Sequence, residues 1–297
     1  MITVKNLTKK FDNFVALNNI SCKIPEGSIY GMVGSNGAGK STFLRLITGV
    51  YKADEGEILI DGMPVWENPS AKEQFMYVSD ELYFINGANM ERMAKLYASI
   101  YKNFDIKKMY AFAEKLGLNP KQSINSFSKG MKRQAAIIMA LSANPKYVFF
   151  DETFDGLDPV IRNVVKKMIY NDIVERNATA IITSHSLREL EDTCDQLTLL
   201  HKGGIIFERE ISDLKTSLFK VQIALNQEYD KDVFQGIDML HFQKKGSVSN
   251  MIVRGDKEET ISKLKNLMPL ILDVLPLSLE EVFTYELSAL GYEFNEE

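Results

Sequence analysis

Nine consecutive residues, Gly34-Ser35-Asn36-Gly37-Ala38-Gly39-Lys40-Ser41-Thr42, limit what this chain can become more than any others. They fit the pattern G-x-x-x-x-G-K-[ST], and they lie where such a loop must lie. Before them Ser28-Ile29-Tyr30-Gly31-Met32-Val33 reads as a buried strand, and after them Thr42-Phe43-Leu44-Arg45-Leu46-Ile47 carries helical apolar spacing. A strand, a glycine-rich turn and a helix point successive backbone N–H groups and a helix N-terminus at one spot, which suits polyphosphate. The spacing puts Lys40 within reach of the β- and γ-phosphates of a nucleotide such as ATP and lets the Ser41 hydroxyl ligate Mg²⁺.

Composition excludes several classes. The formal net charge is −5 with a pI near 5.5, which argues against a general nucleic-acid binder or a polybasic membrane-surface protein. Two cysteines, Cys22 and Cys194, make no disulfide framework and have no metal-ligand spacing. The longest uncharged apolar run, Ala135 to Ala143, falls far short of the ~20 residues a spanning helix needs. Met1-Ile2-Thr3-Val4-Lys5 reads as a strand and not as a secretory signal. Any action at a membrane is therefore expected to run through a partner.

The 297 residues exceed one typical core. Residues 1 to about 30 alternate as strands do, and further strands are expected at 57–60 and 74–78. From about 88 to 145 the spacing turns helical (Met90, Met93, Leu96, Tyr97, Ile100, then Met109, Phe112, Ala113, Leu116), as in an inserted helical region. A β/α alternation then resumes: strand 147–150, helix 160–175, strand 179–183, helix 186–194 and strand 196–200. That order predicts a parallel sheet flanked by helices. The last ~85 residues read as a small α+β appendage, with Val221, Ile223 and Leu225 alternating and a hairpin running to Arg254. A helix over 257–267, a strand near 270–275 and a helix from 279 follow.

Tyr147-Val148-Phe149-Phe150-Asp151-Glu152 is an apolar strand ending in two adjacent carboxylates. Beside a phosphate loop this pairing has a mechanical meaning. Asp151 is placed to hold the Mg²⁺ shell, and Glu152 to polarise a water in line with the γ-phosphate. His185, at the next strand end, reads as a transition-state contact completing a catalytic set with Lys40 and Glu152.

Ser126-Phe127-Ser128-Lys129-Gly130-Met131-Lys132-Arg133-Gln134, about twenty residues before Asp151, resembles the signature sequence of ABC-transporter ATPases, with Ser128 and Gly130 at its key positions. Asp155-Gly156-Leu157-Asp158-Pro159 is similar to the D-loop of that family and Ser184-His185 to its switch-histidine loop. Phe11 matches the position of the aromatic that stacks on adenine. The resemblance covers about residues 1–210 and is closest in character to the ATPase subunits of bacterial ABC-2-type and antibiotic- or peptide-exporting systems. It implies an α/β P-loop NTPase: a RecA-like core with an antiparallel β subdomain and a helical insertion (about 84–145) in residues 1–210, and an accessory α+β domain in 211–297. It also implies that two ATPase subunits sandwich two ATP molecules head to tail, each touched by Lys40, Ser41 and Thr42 of one subunit and by Ser128 and Gly130 of the other, with the rest of Gly34–Thr42 and Asp158 as further nucleotide-binding residues. An integral membrane permease would be the further partner, with the chain at the cytoplasmic face of the membrane.

Two departures stand out. Lys129 and Met131 replace a glycine and a glutamine of the usual signature. Where the family carries a glutamine after the Tyr77-Val78-Ser79 strand end, this chain has Asp80; being one methylene shorter, it is expected to reach the metal through a water. The resemblance also places the permease groove near residues 84–112, although most of Tyr83, Phe84, Tyr97, Tyr101 and Phe104 are expected to pack the insertion's own core. The alternative from another class is a soluble ABC ATPase acting on ribosomes or DNA. The single cassette and acidic balance speak against it. A metabolic kinase would need neither signature nor D-loop.

Overall fold

Polar and apolar residues alternate along 2–24, and this segment folds with 55–64 as an antiparallel sheet. In the computed structural model, which describes residues 1–289, its strands run in the order Phe14–Ile24, Ile2–Phe11, Glu55–Ile60, Met63–Pro64. Ile2 lies opposite both Ile24 and Ile60. These three side chains point together into a core shared with Leu7, Leu17, Phe43 and Phe149.

The later apolar runs lack alternation because both faces of their strands are covered. Ile29–Val33, Tyr147–Asp151 and Thr179–Ser184 are buried at every position. They sit in a six-stranded sheet of order Gly204–Glu210, Gln196–His201, Ile29–Val33, Thr179–Ser184, Tyr147–Asp151, Phe75–Val78. The ladders recorded for the last five strands are parallel. This is the α/β class that the alternation predicts.

The insertion contains helices Met90–Ile100, Ile106–Lys115 and Lys129–Ser142. Tyr97 stacks on Phe104 with ring centroids 6.3 Å apart and lies as far from Tyr101; Tyr101 donates to the Phe75 carbonyl. These three aromatics therefore pack locally as expected, whereas Tyr83 is 85% exposed. Helix Pro159–Arg176 matches its spacing, but the helix expected over 186–194 is only Leu187–Leu190. The chain is drawn off it at Asp195, which clasps the start of the Ile29–Val33 strand: the Ile29 N–H donates to the carboxylate, and the Asp195 N–H to the Ile29 carbonyl.

The chain divides into two compact units, Met1–Glu208 and Arg209–Glu297. The second has an antiparallel sheet of order Met239–Lys245, Val248–Arg254, Leu218–Ala224, Ile271–Leu275. Its core gathers Val221, Ile223, Phe234, Met251, Val253 and Leu264, each almost wholly buried. Helices Ile211–Ser217, Lys257–Lys265 and Leu279–Ala289 complete this unit.

Candidate active site

Parallel pairing brings three chain segments to one edge. Val33 lies opposite Ser184, and Asp151 opposite Thr183. The loops after these residues therefore leave the sheet side by side at its carboxyl end, where open α/β sheets bind ligands.

The first of them is the glycine-rich turn. Its tip, Ser35-Asn36-Gly37, is exposed, while Gly34, Ala38 and Lys40 are buried. Gly39 has φ +109°, and a Cβ there would come within 2.7 Å of Leu17 Cδ2 and 2.8 Å of the Ala16 carbonyl; both the backbone angle and the space demand glycine. Helix Lys40–Ile47 then begins with no side-chain cap and no acidic residue in its first turn. The helices beginning at Met90, Ile106, Lys129, Pro159 and Lys257 are instead capped by Asn89, Asp105, Ser128, Asp158 and Asp256. A glycine-lined turn before an uncapped helix start, with Ser41 and Thr42 half-buried in its first turn, fits an anion.

Lys40 is only 5% exposed. Its ammonium donates to the carbonyls of Gly34 (2.6 Å) and Ser35 (3.1 Å) and lies 3.1 Å from Glu152 Oε1. Glu152 has φ +46°, a left-handed conformation uncommon outside glycine and frequent at functional sites. Its own N–H donates to Thr183 Oγ1 at 3.1 Å. The carboxylate then lies between two groups, with Lys40 at Oε1 and His185 at Oε2, where Nδ1 is 3.0 Å away and the backbone N–H 3.2 Å.

Asp151 is fully buried and ringed by hydroxyls. Oδ1 accepts from Ser41 (3.0 Å) and Thr183 (2.8 Å), and Oδ2 from Tyr77 (3.1 Å). Burial, reinforced by the Asp151 charge, pushes the Tyr77 phenol up to about 12, so it remains a donor at neutral pH. Ser41 and Asp151 form a pair of hard oxygen donors, the type Mg²⁺ takes alongside phosphate oxygens and water. The residue types fit that ion.

Other expected site residues lie on different elements. Phe11 is 40% exposed and meets Tyr51 edge-on with centroids 5.4 Å apart. The Ser128 hydroxyl accepts from the Met131 N–H, capping helix Lys129–Ser142. A Cβ on Gly130 would lie 2.8 Å from the Gly156 carbonyl, so this glycine permits close approach of the two loops. Asp158 caps helix Pro159–Arg176 by accepting from Val160 and Ile161. Asp80 Oδ1 accepts from Arg133 Nη2 at 2.7 Å.

Sequence reasoning missed Thr183 and Tyr77, although each is a polar residue interrupting an apolar strand beside Asp151, a usable signal. It also missed Glu189, which accepts from the buried Ser184 hydroxyl at 2.6 Å and lies 3.3 Å from Arg162; Arg162 in turn donates to the Leu157 carbonyl.

The family model described as "ABC transporter" matches residues 17–155. The chain is 29% identical to the ABC transporter ATP-binding protein YtrB of Bacillus subtilis (strain 168) over 284 residues, covering 95% of this chain and 97% of that one. It is 30% identical to the bacitracin transport ATP-binding protein BcrA of Bacillus licheniformis over 222 residues, 72% and 71% of the two chains. In fold it resembles the dimeric structure of MJ0796, a bacterial ABC transporter cassette, with a TM-score of 0.65 at 22% identity, covering 71% of this chain and 99% of that one. The site geometry and these relatives agree that the chain belongs to the ABC transporter ATP-binding proteins and is an ATPase of that family.

Proposed function

We propose that this ATPase powers an exporter of a peptide, antibiotic or similar compound, working as one of two ATPase subunits on an integral membrane permease. One observation carries the catalytic part: the Glu152 carboxylate is held between Lys40, 3.1 Å away, and His185, 3.0 Å away, directly after a fully buried Asp151. Glu152 takes the proton of the attacking water. Lys40 and the uncapped helix start at Lys40–Ile47 hold the β- and γ-phosphates. The His185 ring is the contact to the charge that develops on the γ-phosphate, and its backbone N–H, 3.2 Å from Oε2, fixes the direction of Glu152. Ser41 and Asp151 hold Mg²⁺, which when bound offsets phosphate charge. Phe11, half-exposed at the end of its strand, supplies a face for adenine.

Ser128, Gly130 and Asp158 lie at the starts of two other helices and serve a nucleotide held by a second subunit. Within this reading residues 1–210 are the ATPase domain and 211–297 an accessory domain. No helix among the described residues is long and apolar enough to cross a membrane, which accords with peripheral attachment at the cytoplasmic face. The cargo class rests on the likeness to BcrA, a bacitracin transport ATP-binding protein, and the export direction on the resemblance of the motifs to those of exporter ATPases.

The test is to recover the tagged chain from detergent-solubilised native membranes and identify what accompanies it. The expected result is an integral membrane subunit, with cargo efflux from reconstituted vesicles that ATP drives and Glu152→Gln abolishes. Recovery in the soluble fraction on ribosomes or DNA would overturn the transport reading.

A further inference from the structure

Arg133 is the largest almost wholly buried side chain among the described residues, at 1% exposure. It sits five residues after Ser128 on helix Lys129–Ser142, at the head of a run from Arg133 to Ser142 in which nearly every residue is buried. A guanidinium carries five N–H donors and a charge that cannot be removed near neutral pH, so burial obliges it to find acceptors. The Nη1 group donates to the Ser79 carbonyl at 3.3 Å and the Nη2 group to Asp80 Oδ1 at 2.7 Å, while Nε is buried without a partner. Among the described residues, Asp80 is the carboxylate that pairs with this cation. Asp80 itself is 48% exposed; the dependence therefore runs mainly one way, from a buried cation to a loop acid that water can also solvate.

The other side of the contact leads to the metal-binding carboxylate. Ser79 and Asp80 directly follow the strand Phe75–Val78, which runs parallel beside Tyr147–Asp151 with Tyr77 opposite Phe149. Tyr77 donates to Asp151 Oδ2. One continuous path therefore runs from Asp151 through Tyr77 and two residues of backbone to Arg133, and along a single rigid helix to Ser128 and Gly130. We infer that Asp80 is a positioning residue and not a metal ligand: with Arg133 it forms a strut that sets the Ser128–Gly130 turn relative to the strand edge bearing Asp151. An aspartate suits this work better than a glutamine, because its charge offsets the buried guanidinium.

The inference rests on the reading that Ser128 and Gly130 serve a nucleotide held by a second subunit, and the experiment separates the two. In the Glu152→Gln background, Asp80→Ala, Asp80→Asn, Arg133→Met and the double variant Asp80→Ala/Arg133→Met are compared by two measurements. One is the Mg²⁺ concentration that half-saturates nucleotide binding to dilute monomer. The other is the MgATP-dependent dimer dissociation constant from sedimentation, with far-ultraviolet circular dichroism confirming that each variant is folded. The strut predicts a dimer weakened about tenfold or more by Asp80→Ala, less by Asp80→Asn, and by no more in the double variant than in Asp80→Ala alone, because both substitutions remove the same contact. The Mg²⁺ midpoint stays within about twofold throughout, a split that a merely destabilised fold would not give. A Mg²⁺ midpoint shifted about tenfold by Asp80→Ala with the dimer constant unchanged would make Asp80 a metal ligand and overturn the strut. No change in either quantity would overturn it as well, leaving a solvated loop acid. Absence of any MgATP-dependent dimer in the Glu152→Gln parent would remove the sandwich reading itself, and the strut with it.

Discussion

The phosphate-loop side of the site and the Ser128 side are built on opposite plans. Lys40, Glu152 and His185 are already in contact within one chain, as are Ser41 and Asp151, and Asp151 is wholly buried. Ser128 and Asp158 touch none of these groups in the contacts described; each caps its own helix. The helix that starts at Lys40 has no side-chain cap of its own. One side is thus a preassembled pocket and the other a pair of finished helix ends that can be presented to something outside the chain. Chemistry and gating are separable in such a design: damage to the first side should act on a monomer, and damage to the second only where two chains meet.

The sharpest way to break this division is Glu152→Gln. Removing the base should lower turnover by roughly 10²–10⁴-fold while MgATP binding survives and the closed dimer accumulates. Near-wild-type turnover, measured free of contaminating ATPases, would take the proton-accepting role away from Glu152. Next comes the pair Lys40→Ala and Ser128→Arg. The first should lose ATP affinity by about tenfold or more even at low protein concentration, and the second should bind ATP as wild type does yet fail to dimerise. Equal losses of monomer binding in a fluorescent-nucleotide titration would erase the distinction between the two sides.

A smaller effect is expected from Gly130→Ala. Its Cβ would meet the Gly156 carbonyl at 2.8 Å, so one loop must shift, and turnover should fall several-fold while monomer binding holds. The smallest belongs to Tyr77→Phe, which deletes one of the three hydroxyls on Asp151. The expected cost is about 1 kcal/mol or less, seen as a few-fold rise in the Mg²⁺ requirement. A rise as large as that from losing Ser41 would give Tyr77 a more direct role.

What the sequence disclosed follows the same division. The preassembled side was readable because its parts are local: a loop of fixed spacing between strand and helix, two carboxylates ending an apolar strand, a histidine ending the next. The contact of Glu152 with both Lys40 and His185 was not, because it depends on register across three strands and on the left-handed turn at Glu152. The partner of Asp80 lay further still from view: Arg133 is 53 residues away, on a helix whose apolar spacing gives no hint that a guanidinium is buried among its side chains. The short helix at Leu187–Leu190 fell short of expectation for a similar reason, since Asp195 is held by a strand 166 residues distant.

Disulfide-free chemistry is available for the decisive measurement, because Cys22 and Cys194 are both buried, and burial pushes the thiols up to about 12 for Cys22 and higher still for Cys194; they serve as a silent background. With Asn36→Cys at the exposed loop tip on one tagged chain and Ser128→Cys on another, both carrying Glu152→Gln, a short bismaleimide is added with and without MgATP. The account predicts a covalent product joining the two differently tagged chains that forms only with MgATP. No product between the differently tagged chains with MgATP, or one that forms equally well without it, would contradict the claim that one chain's loop and another's Ser128 meet across the nucleotide.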